Sequence, residues 1–242
     1  GNTAICAGIV GFADLTMGAS VEEVLNLQTL AGGSRFKGIR YGAGYDPSPH
    51  INNSHTNPPP GIYNNRNFRE GFANLEQFDL SFEAWLYHPQ IDDVISLARD
   101  FPAQPIVLNH FGGPIGIGPY RNKRDQIFTK WKQSIQALSK CPNVFAKLGG
   151  LGMVLNGYQF ETNSTPPSSL ELAELWSPYF ETTIEAFGTN RCMFESNFPV
   201  DKVTSTYAVY WNCFKRITQN ASTGEKQQLF HDTAKRFYRL QV

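Results

Sequence analysis

Two places in the sequence put reactive side chains directly after a short apolar run. In the first, His110 follows an apolar run and precedes a Gly-Gly pair, which allows the backbone to approach a ligand closely. In the second, Glu195 and Asn197 follow the run at residues 192–194. The ends of buried strands are where α/β proteins place their chemistry. A His can coordinate a metal or donate a hydrogen bond to a carbonyl, and a carboxylate can accept a proton.

Three further charged side chains lie within or at the end of apolar runs. Arg40 is suited to hold a carboxylate or sugar acid in bidentate fashion, although a structural ion pair explains it equally well. Lys147 needs a buried partner or a cavity. Glu83 alternates with apolar residues after Asp79 and Ser81, which predicts a polar strand face toward a barrel interior or mouth. We predict that Arg40, Lys147 and Glu83 bind substrate.

Composition narrows the function classes. The chain has 21 Lys and Arg against 21 Asp and Glu, with no run of basic residues longer than two, which argues against nucleic-acid binding. No apolar run is long enough for a bilayer and no segment resembles a signal peptide, so we expect no membrane partner and a cytoplasmic location. The four cysteines form no Cys-x-x-Cys pair, and Cys6 and Cys192 are expected to be buried thiols.

Apolar runs alternate with helical stretches, which predicts one α/β domain over the 242 residues. The runs are continuous, as in parallel strands buried on both faces. The predicted strands are residues 4–10, 36–40, 78–82, 106–109, 144–147 and 192–194. Loops at 41–70 and 151–169 follow strands and are interpreted as lids or substrate walls, with flexible insertions as the alternative. Helices are predicted from Ser177-Pro178 to Gly188, over 204–218 and over 225–240.

Residues 191–199 (Arg-Cys-Met-Phe-Glu-Ser-Asn-Phe-Pro) and 107–114 (Val-Leu-Asn-His-Phe-Gly-Gly-Pro) together resemble the amidohydrolase-2 family of metal-dependent hydrolases and sugar-type lactonases. The resemblance spans almost the whole chain and implies a (β/α)8 TIM barrel of the amidohydrolase superfamily. Such proteins usually end the last barrel strand in Gly-Ser-Asp-Trp-Pro, whose Asp is the catalytic base or a metal ligand. Asn197 occupies that position, and an amide cannot accept a proton at neutral pH. Glu195 and Asp201 are alternative replacements for it.

The resemblance also has consequences for metal and architecture. It implies that His110 either coordinates a metal or donates a hydrogen bond to the carbonyl under attack. The His-x-His of the family's first strand is absent, so one divalent metal such as Zn²⁺, or none, is compatible with the sequence. Six βα units are recognised where a closed barrel has eight. We therefore expect a chain that lacks the first two units; a full-length protein with an open sheet is the alternative. Exposed sheet edges favour a homo-oligomer.

The function that the resemblance implies is hydrolysis of a lactone or related cyclic carboxylic ester of a sugar acid or carboxylated ring. Water would attack the carbonyl, and His110 would stabilise the oxyanion while a carboxylate or metal-bound hydroxide activates the water. One alternative is a metal-dependent, non-oxidative decarboxylase of the same family. Another is a non-catalytic binding protein or inactive remnant, which Asn197 and the missing His-x-His favour.

Overall fold

A computed structural model describes residues 6–241, in which strands and helices alternate. The strands are β1 (Ile9–Gly11), β2 (Phe36–Gly42), β3 (Ser81–Trp85), β4 (Ile106–Leu108), β5 (Val144–Leu148) and β6 (Cys192–Phe194). The helices are α1 (Val21–Gly32), α2 (Arg66–Ala73), α3 (Ile91–Asp100), α4 (Arg124–Leu138), α5 (Ser169–Phe187), α6 (Tyr207–Ile217), α7 (Thr223–Gln227) and α8 (Thr233–Phe237). Within this range, none of the helices is long and apolar enough to span a membrane.

The six strands form one parallel sheet in the order β1-β2-β3-β4-β5-β6. Each strand therefore neighbours the next one along the chain, as in a TIM barrel, and the sheet curls into a half-barrel. The α/β class and the parallel sheet are confirmed as a partial barrel. Arg40 lies opposite Glu83 in the β2–β3 register, which places the two charged residues side by side.

The sheet has two differently packed faces. Ile106 and Leu108 of β4 belong to the main core, which lies between the sheet and the helices. Val107, between them, points to the opposite face, since successive residues of a strand alternate. There it packs with Met193 of β6 and Phe237 of α8. We call this opposite side the inner face, and it is the face that carries the charged residues described below.

Two predicted strands have bounds that differ from the observed ones by more than two residues. Within the described residues β1 begins at Ile9, while Ala4 and Ile5 lie outside them. The strand predicted at 78–82 is β3, shifted along the chain, because Glu76–Phe78 form a 3-10 turn. Asp79 then adopts a left-handed conformation with φ of 51°, so it is not part of the strand's polar face.

The helix predicted to begin at Ser177-Pro178 begins earlier. Ser168 caps α5 in a reciprocal capping box with Glu171, and the helix runs through Pro178 to Phe187. Proline marks a helix start only when nothing upstream nucleates the helix. The predicted helix over 225–240 is also divided, since the π-helical segment Gln228–Asp232 separates α7 from α8.

Among the cysteines, Cys192 is buried as expected, but Cys6 is exposed. Cys6 lies before β1 rather than within it, so no strand packing covers the thiol.

Candidate functional site

Glu83 on β3 is the centre of a group of charged side chains on the inner face. Its side chain is 2% exposed, and each carboxylate oxygen accepts hydrogen bonds from a different side. The Arg40 guanidinium donates to Oε2 through Nη2 at 2.5 Å and Nε at 2.7 Å. Lys147 Nζ donates to Oε1 at 2.7 Å, and the Tyr238 hydroxyl donates to the same oxygen. Asn109 adds an amide donor 3.3 Å from Oε2.

These donors decide the charge of Glu83. Burial alone would raise the pKa of this carboxyl, but Lys147 and Arg40 lower it well below its ordinary value. Burial would lower the pKa of Arg40, but the charge of Glu83 outweighs burial, and the pKa of Arg40 is raised. The predicted substrate-binding residues Arg40 and Lys147 are therefore both ion-paired with the third, the buried Glu83.

His110 and Glu195 meet at the carboxyl end of the sheet. The distance from His110 Nδ1 to Glu195 Oε1 is 2.5 Å, and the two side chains are 5% and 14% exposed. The His110 ring also packs edge-on against Trp85 of β3, with centroids 5.0 Å apart. The sequence places these residues after β4 and β6, which are not neighbours, so the contact has to cross the end of β5.

The Gly149-Gly150 pair after β5 makes this contact possible. A Cβ at position 150 would lie 2.6 Å from the His110 Cβ, and the backbone there has φ of 85°. A Cβ at position 149 would overlap the carbonyl oxygen of Glu195. Because both positions lack a side chain, the imidazole and the carboxylate can approach each other above the end of β5.

Lys147 links the two carboxylates. Its Nζ, 2.7 Å from Glu83, lies 3.6 Å from Oε2 of Glu195. Burial would raise the pKa of Glu195, but His110 and Lys147 lower it, so this carboxylate is ionised. We call the continuous set of side chains the charged network. It comprises Arg40, Glu83, Lys147, Glu195 and His110.

Asn197 and Asp201 form a separate group in the turn after β6. The Asn197 amide donates to Asp201 Oδ1 at 2.6 Å, and the Gly152 backbone N–H donates to Oδ2 at 3.1 Å. Asp201 is 0% exposed and has no cationic partner in these contacts. Burial raises its pKa to about 7, and the Glu195 charge adds to that effect. Asn197 itself has φ of 51°, a conformation that Asn tolerates well.

Of the two carboxylates considered as replacements at the Asn197 position, only Glu195 touches His110. Asp201 is held by the turn that it stabilises. The sequence missed Tyr238, because its helical spacing indicates only packing, and it missed the role of Gly149 and Gly150. A Gly-Gly pair directly after a predicted strand was the one available signal for a close approach.

The described residues do not fit a metal site. Over residues 6–241, no group of three or more His, Cys, Asp and Glu side chains is arranged to hold an ion. His110 Nδ1 is already bonded to Glu195, and the ammonium of Lys147 lies beside that carboxylate. A zinc ion takes three or four ligands, and a neighbouring cation opposes its binding.

Comparison with known proteins adds the family. The family model described as Amidohydrolase matches residues 3–240. The chain belongs to the amidohydrolase family. An uncharacterised protein of Sinorhizobium fredii is 35% identical over 237 residues, which cover 96% of this amidohydrolase and 70% of that protein. The L-fucono-1,5-lactonase of Burkholderia multivorans is 26% identical over 72% of this chain. The match covers 56% of the lactonase, so the chain spans little more than half the length of that relative.

A solved structure is similar to the amidohydrolase fold seen here. The zinc-bound amidohydrolase of Burkholderia multivorans superposes with a TM-score of 0.77 at 22% identity. The match covers 97% of this chain and 74% of the other. This likeness supports the partial barrel, and the family-level prediction is confirmed.

Proposed function

We propose that this amidohydrolase hydrolyses a lactone or a related cyclic carboxylic ester, with a sugar-acid lactone as the substrate class. The observation that carries the proposal is the bond between His110 and Glu195 at the carboxyl end of the sheet. Such a pair provides an oriented general base, which accelerates the attack of water on an ester carbonyl. The family and the 26%-identical L-fucono-1,5-lactonase support the choice of reaction and substrate class.

His110 acts as the base in this proposal, and Glu195 orients it. When Nδ1–H donates to Glu195, the lone pair of Nε2 is free to take a proton from water. Within the described part of the chain, Nε2 has no hydrogen-bond partner. The ionised Glu195 then stabilises the imidazolium that forms. This assignment differs from the sequence-based expectation, in which His110 stabilises the oxyanion and a carboxylate activates the water.

The chemical steps follow from this assignment. Water loses a proton to His110 Nε2 while its oxygen adds to the lactone carbonyl carbon. The resulting tetrahedral adduct expels the ring oxygen, and the C–O bond of the ring breaks. The leaving alkoxide takes the proton back from Nε2. The product is the open hydroxy acid, and His110 returns to its neutral form.

Arg40 is the residue of the charged network that is best placed to bind the substrate. Its side chain is 39% exposed although one edge holds Glu83, so further guanidinium N–H groups remain available to a hydroxyl or carboxylate. Lys147 is 10% exposed and holds two carboxylates. We therefore assign Lys147 to the support of Glu83 and Glu195 rather than to the substrate.

The test is a pH-indicator assay of the full-length protein on a panel of sugar-acid 1,4- and 1,5-lactones. We expect turnover that His110→Gln and Glu195→Gln each reduce by about 10²–10⁴-fold in kcat, the usual contribution of a general base. Glu181→Gln, which alters an exposed carboxylate on α5, is the control and keeps full activity.

Three results would reject the proposal. If the His110→Gln variant keeps its turnover, His110 is not the general base. Release of CO₂ from a carboxylated ring without lactone opening would assign a decarboxylase instead. Binding of lactones without turnover, measured by calorimetry, would assign a binding protein.

A further inference from the structure

We infer that Tyr238 is a positioning residue of this site. It shares Glu83 with Lys147 and thereby sets the proton affinity of His110. This inference rests on the proposed function for its catalytic meaning, while the effect on His110 is measurable without turnover. Tyr238 follows α8, and its hydroxyl reaches a residue that precedes it by 155 positions.

The segment around Tyr238 is anchored on both sides. We call residues 237–239 the strap, since they cross the inner face of the sheet. Before Tyr238, the Phe237 ring packs on Phe145 of β5 with centroids 4.9 Å apart. After it, Arg239 donates to the Lys37 carbonyl at 3.0 Å and pairs with the Asp79 carboxylate at 3.0 Å. The strap therefore holds the phenol in a defined place.

Tyr238 makes two contacts with the charged network. Its hydroxyl donates to Oε1 of Glu83, the same oxygen that accepts from Lys147 Nζ. Its ring also lies below the ammonium, with the centroid 5.6 Å from Nζ. Burial and the Glu83 charge raise the pKa of Tyr238 well above its ordinary value, so the phenol remains a proton donor.

The position of Lys147 depends on this sharing. Nζ lies 2.7 Å from Glu83 and 3.6 Å from Glu195, so the two carboxylates compete for one ammonium. The hydrogen bond from the phenol to Oε1 weakens the attraction between Glu83 and the ammonium of Lys147. Without that donor, Glu83 draws Lys147 away from Glu195. The less compensated Glu195 then favours the imidazolium form of His110.

The experiment compares the wild-type protein with Tyr238→Phe. The imidazole nitrogens are titrated by ¹H–¹⁵N NMR, with the His110 signals assigned by their loss in His110→Gln. We expect the His110 midpoint to rise by about half a pH unit or more, the size expected when a neighbouring charge is partly uncovered. The acid limb of kcat/KM should move in the same direction. Tyr120→Phe is the matched control, because Tyr120 also donates to a carboxylate, Asp46, outside the charged network.

A second variant tests the inference even if Tyr238→Phe does not fold. Incorporation of 3,5-difluorotyrosine at position 238 keeps the ring and makes the hydroxyl a stronger donor. Lys147 should then move toward Glu195, and the His110 midpoint should fall. Opposite shifts in the two variants are the expected signature of positioning.

The outcomes separate the inference from the proposed function. A lower Tm in Tyr238→Phe with an unchanged His110 midpoint would mean that Tyr238 is only structural, which overturns the inference. An unchanged midpoint in the difluorotyrosine protein would do the same. If no lactone is hydrolysed but both shifts occur, the proposed function fails and the coupling of Tyr238 to His110 stands.

Discussion

Glu83 and Asp201 are two buried carboxyl groups whose pKa values are shifted in opposite directions. They are 1% and 0% exposed, so both pay the same kind of desolvation cost. Glu83 faces Lys147 and Arg40, and its pKa lies well below the ordinary value. Asp201 faces an amide and a backbone N–H, and its pKa rises to about 7. Burial does not decide the charge of a group; the partners buried with it do.

The largest expected effect comes from removing the charge of Glu83. Glu83→Gln leaves Arg40 without its anion and leaves Lys147 with only Glu195, 3.6 Å away, so the free energy of unfolding should fall by about 3–5 kcal/mol at pH 7. Urea denaturation measures it, and Glu76→Gln, in the exposed turn before β3, is the control. A loss below about 1 kcal/mol would show that water already compensates both cations.

The sign of the pH dependence follows from the lowered pKa of Glu83. Its folded-state value lies below the ordinary 4.5, so its contribution to stability is present at neutral pH. That contribution is lost as the pH falls below the ordinary value toward the folded one. In Glu83→Gln, this part of the acid destabilisation should be absent.

Asp201 should give the stability the reverse dependence on pH. The Asp201→Asn substitution should remove this dependence. The folded-state pKa of about 7 lies above the ordinary 3.8, so the folded protein holds a proton that the unfolded chain has released between these values. Stability therefore falls as the pH rises through this window, by at most about 4 kcal/mol. Urea midpoints at pH 5 and pH 8 measure the difference. The exposed Asp92→Asn variant should retain the wild-type slope.

A smaller effect is expected from Asn197→Asp, which restores the family's usual residue. The new carboxylate would lie beside Asp201 Oδ1, now 2.6 Å from the Asn197 amide, and the two acids would share one proton. We expect a loss of about 1–2 kcal/mol at pH 8 and a smaller one at pH 5. Asn197→Ala loses a hydrogen bond that lowers the pKa of Asp201, so it should cost more at pH 8, where Asp201 is ionised, than at pH 5. A gain in lactone turnover in Asn197→Asp would contradict the assignment of His110 as the base.

The sheet could be predicted because its strands are continuous apolar runs, and those runs also fix which edge holds His110 and Glu195. The bounds were less accurate where a local conformation broke the pattern. Asp79 alternates correctly with Ser81 and Glu83, yet its left-handed backbone ends a turn instead of starting a strand. Alternation in sequence does not reveal a change in the backbone angle.

The roles within the site depended on distances that the sequence does not contain. Arg40 fits an ion pair or a substrate clamp equally well until the β2–β3 register places it beside Glu83. The buried partner that Lys147 requires is the same carboxylate. Asp201 and Glu195 were equivalent until one was found against His110. Tyr238 carried no signal, because a phenol in a helical tail usually packs in the core.

The strap also affects the order in which the sheet forms and the charged network is buried during synthesis. All six strands are neighbours in sequence, so the sheet can grow one strand at a time as the chain emerges from the ribosome. Tyr238 and Arg239 leave the ribosome only after β1 to β6, the strands of the described residues, have done so. Until then, the ammonium of Lys147 and the carboxylate of Glu83 keep contact with water on the inner face. The nascent chain can thus hold a formed sheet while its charged network is still hydrated, and dehydration of that network is among the last steps of folding.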